Sequence, residues 1–212
     1  MHATPYPSPV MYEKNDMDKD TLVSRVSFHK PDVLPETAKQ FAVLLLIVQD
    51  KYGMLNLVFT KRAQLITYAG DYCFPGGRKD TQDQNFLVTA MREVKEELNI
   101  GEELYQYVGQ LNDFQDHEGN LVRPFVALMM KKDFDEHVNV SPDEIADVLF
   151  LPLSELNYLI DSRAIENHTR RSPSYVYVKG TVRIWGLTAA IMVHFFNIVF
   201  EKNKLVGHVA KK

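Results

Sequence analysis

Residues Gly77–Ile100 read GRKDTQDQNFLVTAMREVKEELNI and contain the clearest helix signal in the chain. The apolar residues of this stretch recur at the three- and four-residue spacing of one helical face: Leu87, Ala90, Met91, Val94 and Leu98. This periodicity predicts an amphipathic helix over Leu87–Leu98 that packs against a core.

The same predicted helix carries three carboxylates on one side. Glu93, Glu96 and Glu97 lie at positions i, i+3 and i+4, where like charges repel by roughly 0.2–0.5 kcal/mol per pair. They also lie near the helix C-terminus, where the helix dipole favours cations. A bound divalent cation would compensate both effects, and oxygen ligands without His or Cys suit Mg²⁺ or Mn²⁺. The alternative is a solvated acidic helix face balanced by neighbouring basic residues.

A glycine turn with two cations precedes this helix. Pro75, Gly76 and Gly77 predict a sharp bend with accessible backbone N–H groups, and Arg78 and Lys79 follow directly. Glycine permits close approach of a ligand to the backbone, and such donors suit phosphate. Cations beside a carboxylate–metal cluster favour a polyphosphate, because the phosphate charge is then shared between the metal and arginine.

Around this segment the sequence alternates between strand and helix patterns. Short apolar runs predict a hairpin of Phe41–Val48 with Met54–Phe59 and further strands at Tyr105–Leu111, Leu121–Met130, Val148–Leu151 and Tyr175–Val178. Two further helices are predicted at Leu153–Ile160 and from Trp185 to about Glu201. The pattern predicts an α+β fold with a mixed β-sheet sandwiched between α-helices. Residues 1–35, rich in proline, are predicted to form an N-terminal extension, residues 36–205 a single domain and residues 206–212 a tail.

Composition narrows the class of protein. The chain has 212 residues and a net charge of −4, which argues against a general nucleic-acid binder. A single cysteine, Cys73, excludes an internal disulfide and a Cys-based zinc site, and is interpreted as a packing residue. No signal peptide is recognised, so a cytoplasmic location is expected. Ile184–Phe200 holds 17 residues without formal charge and is interpreted as a core or homodimer-interface helix rather than a membrane span.

Residues Gly77–Ile100 resemble the Nudix box, G-x5-E-x7-R-E-U-x-E-E-x-G-U, where U is apolar. The matching positions are Gly77, Arg92, Glu93, Val94, Glu96, Glu97 and Ile100. The chain departs from the pattern at three points. One extra residue separates Gly77 from Arg92, Asp83 or Asp80 replaces the first glutamate, and Asn99 replaces the second glycine. Asparagine is, after glycine, the residue best able to adopt the left-handed conformation that ends a helix.

Within that family the chain is most similar to the coenzyme A diphosphatases. The similar segments are Thr60–Ala63, Phe74–Gly77, Thr89–Glu93, Asp143–Leu156 and Ile184–Ile191, together with the paired aspartates. The resemblance covers about Phe41 to Phe200. An arginine typical of that signature is replaced by Thr67, with one residue fewer before Gly70.

The resemblance implies metal-assisted hydrolysis of a phosphoanhydride. Coenzyme A or an acyl form would give (acyl-)4′-phosphopantetheine and adenosine 3′,5′-bisphosphate. Glu93 and Glu97 are the first candidates for metal ligands, Glu96 for a further ligand or the general base, and Glu144 for the base or an extra ligand. Arg92 is expected to orient the carboxylates.

Substrate contacts are expected from Arg62 and Arg78, with Lys79 and Lys61 as weaker candidates, and from the backbone of Gly76 and Gly77. Two alternatives remain open. One is a Nudix diphosphatase acting on ADP-ribose, NADH or another dinucleotide, which Thr67 favours. The other is a non-catalytic Nudix-fold module that binds a ligand for regulation.

Overall fold

The structure is a computed structural model that describes residues 17–63, 70–161 and 175–200. Thr67 lies outside the described residues. Within them the helices are α1 Lys19–Phe28, α2 Phe86–Leu98, α3 Lys131–His137 and α4 Gly186–Phe200. The strands are β1 Gln40–Gln49, β2 Leu55–Arg62, β3 Tyr72–Cys73, β4 Gly76–Arg78, β5 Gln106–Gln110, β6 Phe114–Gln115, β7 Leu121–Met130, β8 Ile145–Pro152, β9 Leu159–Asp161, β10 Tyr175–Lys179 and β11 Val182–Trp185. Short 3₁₀ helices cover Glu102–Leu104 and Leu153–Tyr158.

The main sheet is mixed, as the sequence predicts. Strands β1 and β7 run parallel over their whole length, whereas β1 and β2 form the predicted antiparallel hairpin. The β1–β2 pairing covers only Ile47–Gln49 with Leu55–Leu57. Beyond it, β4 pairs with β1 and β3 pairs with β2. The segment from β3 to β4 therefore enters the sheet between the two strands of the hairpin and carries the glycine turn there.

Helices cover both faces of this sheet, so the predicted α/β/α arrangement is confirmed. Alternate residues of β1 point to opposite sides, which follows from the two-residue period of a strand. Leu44 and Leu46 belong to the core beneath α2. Leu45 and Ile47 belong to the core shared with α1 and α4. The run of apolar residues in β1 is continuous because the strand is buried on both faces.

Helix α2 starts and ends at residues suited to those positions. The Asn85 side chain accepts a hydrogen bond from the Val88 N–H at 3.0 Å, which caps the N-terminus. At the other end Asn99 has φ +60°, and it is the one non-glycine residue with positive φ in the described part of the chain. The expected left-handed conformation at Asn99 is therefore confirmed, and its departure from the family glycine leaves the helix end intact.

The last helix is buried in the core. Its buried residues are Ala189, Ile191, Met192, Val193, Phe195, Phe196 and Val199. No helix in the described ranges has the length and apolar character needed to cross a membrane. Helix α1 packs in the same core through Leu22 and Val26, which are fully buried. The segment assigned from sequence to an extension therefore contributes two core residues.

Several elements differ from the sequence predictions. The helix predicted over Leu153–Ile160 is a 3₁₀ helix followed by β9. Helix α3 was not predicted because Phe134 is its one buried residue, so no periodicity reveals it. Strand β11 was also missed, although the turn at Gly180, with φ +58°, is a hairpin signal.

Candidate functional site

The candidate site lies where α2, the β3–β4 turn, the end of β2 and the loop before β8 meet. Backbone hydrogen bonds bring these segments together. The Ser141 N–H donates to the Glu97 carbonyl at 3.0 Å, and the Ala63 N–H donates to the Glu144 carbonyl at 2.8 Å. Glu144, distant in sequence, is thereby held beside the end of α2. Its charge acts on both Glu93 and Glu97.

The glycine turn lies directly against the acidic helix. A Cβ atom at Gly77 would be 2.4 Å from the carboxyl carbon of Glu93. At Gly76, where φ is +151°, a Cβ atom would be 2.3 Å from the Ala42 carbonyl oxygen. Gly76 is therefore required by space and by backbone conformation, whereas a Cβ atom at Gly77 would displace the Glu93 carboxylate. Their small size lets the Glu93 carboxylate approach the backbone of the turn.

Arg92 joins the acidic side chains into one network. It bonds both carboxylate oxygens of Asp83 through Nε at 3.2 Å and Nη2 at 3.1 Å. Its Nη1 atom contacts Glu93 Oε1 at 2.9 Å and Glu96 Oε2 at 2.8 Å. Its Nη2 atom also donates to the Arg78 carbonyl at 2.9 Å. These contacts place Arg92 among the carboxylates.

Asp83 is the aspartate that pairs with Arg92 in the loop. It is 7% exposed, and the Arg92 hydrogen bonds lower the pKa of its carboxyl to about 2. Thr89 Oγ1 also donates to Asp83 at 2.9 Å. Asp80 is 3.9 Å from Arg92 and its side chain is 68% exposed. Sequence reasoning left these aspartates as alternatives and missed Thr89, although the i, i+3 spacing from Thr89 to Arg92 could have indicated it.

Glu97 is a buried carboxyl group with an unused oxygen. The residue is 4% exposed, and no described residue provides a hydrogen bond to its Oε2 atom. Burial is the main cause that raises the pKa of Glu97 to about 8, followed by the charge of Glu93. The Gly76 N–H hydrogen-bonds the Glu97 carboxyl and opposes that rise. Burial likewise raises the pKa of Glu93.

These observations fit a divalent cation. A buried carboxylate oxygen without a partner, beside other carboxylates, is stabilised when a cation neutralises it. Across the described ranges, no three His, Cys, Asp or Glu side chains form a ready-made metal cluster. Mg²⁺ is commonly bound by one or two protein carboxylates, with waters and substrate phosphates completing its coordination. The residues that fit this arrangement are Glu93 and Glu97.

Glu96 has a different environment from the other two helix carboxylates. Its side chain is 52% exposed and pairs with Arg92, whereas the Glu93 side chain is 13% exposed. Although the three residues share one side of α2, Glu97 turns towards the core and Glu96 towards solvent. The structure therefore brings Glu93 and Glu97 together and leaves Glu96 at the rim.

The predicted phosphate-binding residues occupy different positions. The charge of Arg62 lowers the pKa of Glu97, from which we infer that Arg62 lies near the carboxylates. The Arg78 side chain is exposed. Lys79 donates to the Asp83 carbonyl at 2.9 Å and so braces the loop. Lys61 lies over the ring of Tyr72, 5.6 Å from its centroid.

Cys73 packs beneath this site. Its Sγ atom is 3.6 Å from Thr60 Oγ1, and burial raises the pKa of the thiol. A neutral, half-buried thiol is a poor nucleophile. This environment agrees with the packing role interpreted from sequence.

Comparison with known proteins identifies the family. The NUDIX domain model matches residues 38–172, which is more than half of the chain. An uncharacterized Nudix hydrolase, NudL of Photorhabdus laumondii, is 36% identical over 168 residues, covering 76% of this chain and 86% of the relative. NudL of Citrobacter koseri is 30% identical over 183 residues, covering 85% and 94%. A MutT/nudix family protein of Enterococcus faecalis has a similar fold, with a TM-score of 0.53 at 18% identity over 80% of this chain and 65% of that protein. The chain therefore belongs to the Nudix family and is an enzyme of the Nudix hydrolase type.

Proposed function

We propose that this Nudix hydrolase cleaves the diphosphate bond of coenzyme A or an acyl-coenzyme A. The products are 4′-phosphopantetheine, or its acyl form, and adenosine 3′,5′-bisphosphate. The observation that carries the proposal is the pair of buried Glu97 and part-buried Glu93, which lies against the Gly76–Gly77 turn with Arg62 nearby. Carboxylates for a metal ion, backbone donors and a guanidinium are the groups that a diphosphate requires.

The preference for coenzyme A rests on segments that resemble the coenzyme A diphosphatases. Two of these segments lie next to each other. Thr60–Ala63 begins on β2 and Phe74–Gly77 directly follows β3, and the two strands are paired through Thr60 and Cys73. Phe59 and Phe74 stack with ring centroids 4.7 Å apart and fix the two segments together. These two similar segments therefore lie side by side in the sheet. Thr67 is the feature that favours ADP-ribose or a dinucleotide instead.

A divalent cation held by Glu93 and Glu97 would neutralise the diphosphate charge and acidify the attacking water. Arg92 fixes the position of Glu93, and Arg62 contributes positive charge for a phosphoryl oxygen. Glu144 is exposed beside both carboxylates and is the general base in this proposal, because Glu96 is occupied by Arg92. Glu144 takes a proton from water, the water oxygen bonds to one phosphorus, and the anhydride P–O bond breaks, so that the other half of the substrate leaves as a phosphomonoester carrying the former bridging oxygen.

The test is incubation of coenzyme A with the protein and Mn²⁺ or Mg²⁺, with products resolved by mass. The matched pair of variants is Glu97→Gln in the site and Glu136→Gln on α3, where the side chain is 54% exposed. Adenosine 3′,5′-bisphosphate should form with the parent and Glu136→Gln but not with Glu97→Gln. Intact coenzyme A together with cleavage of ADP-ribose or NADH would overturn the substrate proposal.

A further inference from the structure

Trp185 is a large aromatic residue that remains half-exposed beside the candidate site. It is the one tryptophan of the chain, ends β11 and is 45% exposed. Strand β11 contacts β3, which leads into the glycine turn. An exposed tryptophan in a fixed orientation offers a flat surface on which a planar ligand can stack.

A hydrogen bond fixes the indole to the strand that carries Arg62. Trp185 Nε1 donates to Asp71 Oδ1 at 3.2 Å. The Asp71 carbonyl accepts the Arg62 N–H at 3.0 Å, and the Gly70 N–H donates to the Arg62 carbonyl at 3.0 Å. The ring is thus connected through Asp71 to the residue whose charge acts on Glu97. This chain of contacts sets Trp185 beside the phosphate side of the site.

A cation lies beside the indole. The Arg183 guanidinium lies 5.9 Å from the Trp185 ring centroid. An aromatic surface beside a cation suits a planar base that carries phosphate groups.

We propose that Trp185 stacks on the nucleobase of the nucleoside diphosphate substrate, and that Asp71 is a positioning residue that holds the indole for it. The inference rests on the proposed function only in that the substrate contains a nucleobase. It assigns a specificity role to β11, a strand outside the Nudix box. The base is bound on the indole while the diphosphate lies at Arg62 and the carboxylates.

The single tryptophan allows a direct test of stacking without turnover. Tryptophan emission, excited at the red edge, is followed during titration with adenosine 3′,5′-bisphosphate in EDTA. Inorganic pyrophosphate and ribose 5-phosphate serve as ligands without a base, and calorimetry measures binding of each. Saturable quenching by the nucleotide, absent with the other two ligands, is the expected result.

Two variants separate stacking from a structural role. Trp185→Leu removes the aromatic face and should weaken nucleotide binding about 5- to 100-fold. Trp185→Phe retains a ring without the N–H donor to Asp71, so it should bind the nucleotide more tightly than Trp185→Leu and less tightly than the parent. Pyrophosphate affinity should be the same in parent and variants. Circular dichroism and thermal melts check the fold, and the fluorescence titration of the parent decides the question if Trp185→Leu does not fold.

Nucleotide binding by calorimetry without any change in tryptophan emission would overturn the stacking role and leave the proposed reaction standing. Equal loss of pyrophosphate and nucleotide affinity in Trp185→Leu would also overturn it, because the residue would then act through the fold. Absence of nucleotide binding together with absence of coenzyme A hydrolysis would overturn both proposals.

Discussion

Replacing Glu97 with glutamine should make the metal-free protein more stable and remove its response to divalent cations. The carboxyl of Glu97 is 4% exposed, and burial raises its pKa to about 8 from its ordinary value of 4.5. The folded state therefore binds this proton more tightly than the unfolded state. Stability of the metal-free protein is full below about pH 4.5 and falls as the pH rises towards 8.

The size of the effect follows from that pKa difference. At pH 7 the buried carboxyl costs the metal-free fold about 3 kcal/mol, and glutamine should recover about 2 kcal/mol of it. For a chain of this length the gain is about 4–8 °C in Tm. A cation present at about one hundred times its Kd adds about 2.7 kcal/mol to the parent. Between pH 6 and pH 7, Mn²⁺ at that concentration should therefore reverse the order of stability of parent and variant.

The assay is thermal unfolding by circular dichroism in EDTA and in Mn²⁺, each at pH 6 and pH 8. Glu136→Gln on the surface of α3 is the control and should follow the parent in every condition. The advantage of Glu97→Gln in EDTA should be larger at pH 8 than at pH 6. A variant less stable than the parent in EDTA at pH 8, or equal stabilisation of both by Mn²⁺, would refute the reasoning.

Three further changes test other parts of the structure. Gly77→Ala forces a Cβ atom into the Glu93 carboxylate. It should lower kcat about 100-fold while the circular dichroism spectrum stays native. An unchanged kcat would show that the turn is not tightly constrained. Asp83→Asn removes the Arg92 ion pair; it should cost about 1 kcal/mol at pH 7, and less as the pH falls towards 2, in urea unfolding. Burial lowers the pKa of His194 to about 4, so stability should fall by about 2 kcal/mol from pH 6.5 to pH 4. His194→Gln should flatten that slope, and an unaltered slope would assign it to other groups.

The candidate metal residues could be read from the sequence because their arrangement is local. Glu93 and Glu97 are four residues apart on a helix whose apolar periodicity is strong, so their shared side follows from helix geometry. The left-handed end at Asn99 is also local, since a helix that stops before a non-glycine residue favours asparagine there. The β1–β2 hairpin follows from two adjacent apolar runs with a short turn.

The roles of individual carboxylates depended on tertiary contacts. The spacing of residues along the helix does not distinguish Glu96 from Glu97. In the structure, only Glu97 of these two is covered by the glycine turn and the core. The sequence does not distinguish Asp83 from Asp80 in the loop, and in the structure it is Asp83 that hydrogen-bonds Arg92 and Thr89. The burial of these carboxylates depends on which distant segments pack over them, so the local sequence around each residue does not reveal it.

The sequence by itself determined the helix with its acidic side, the glycine turn before it and the mixed α+β architecture, because periodicity and backbone preferences act over a few residues. The tertiary structure alone decided that Glu144 joins Glu97, that Trp185 lies beside the strand of Arg62, and that α1 completes the core. These contacts join segments separated by tens of residues. They form because the sheet brings distant strand ends together and because apolar faces are buried wherever a partner covers them.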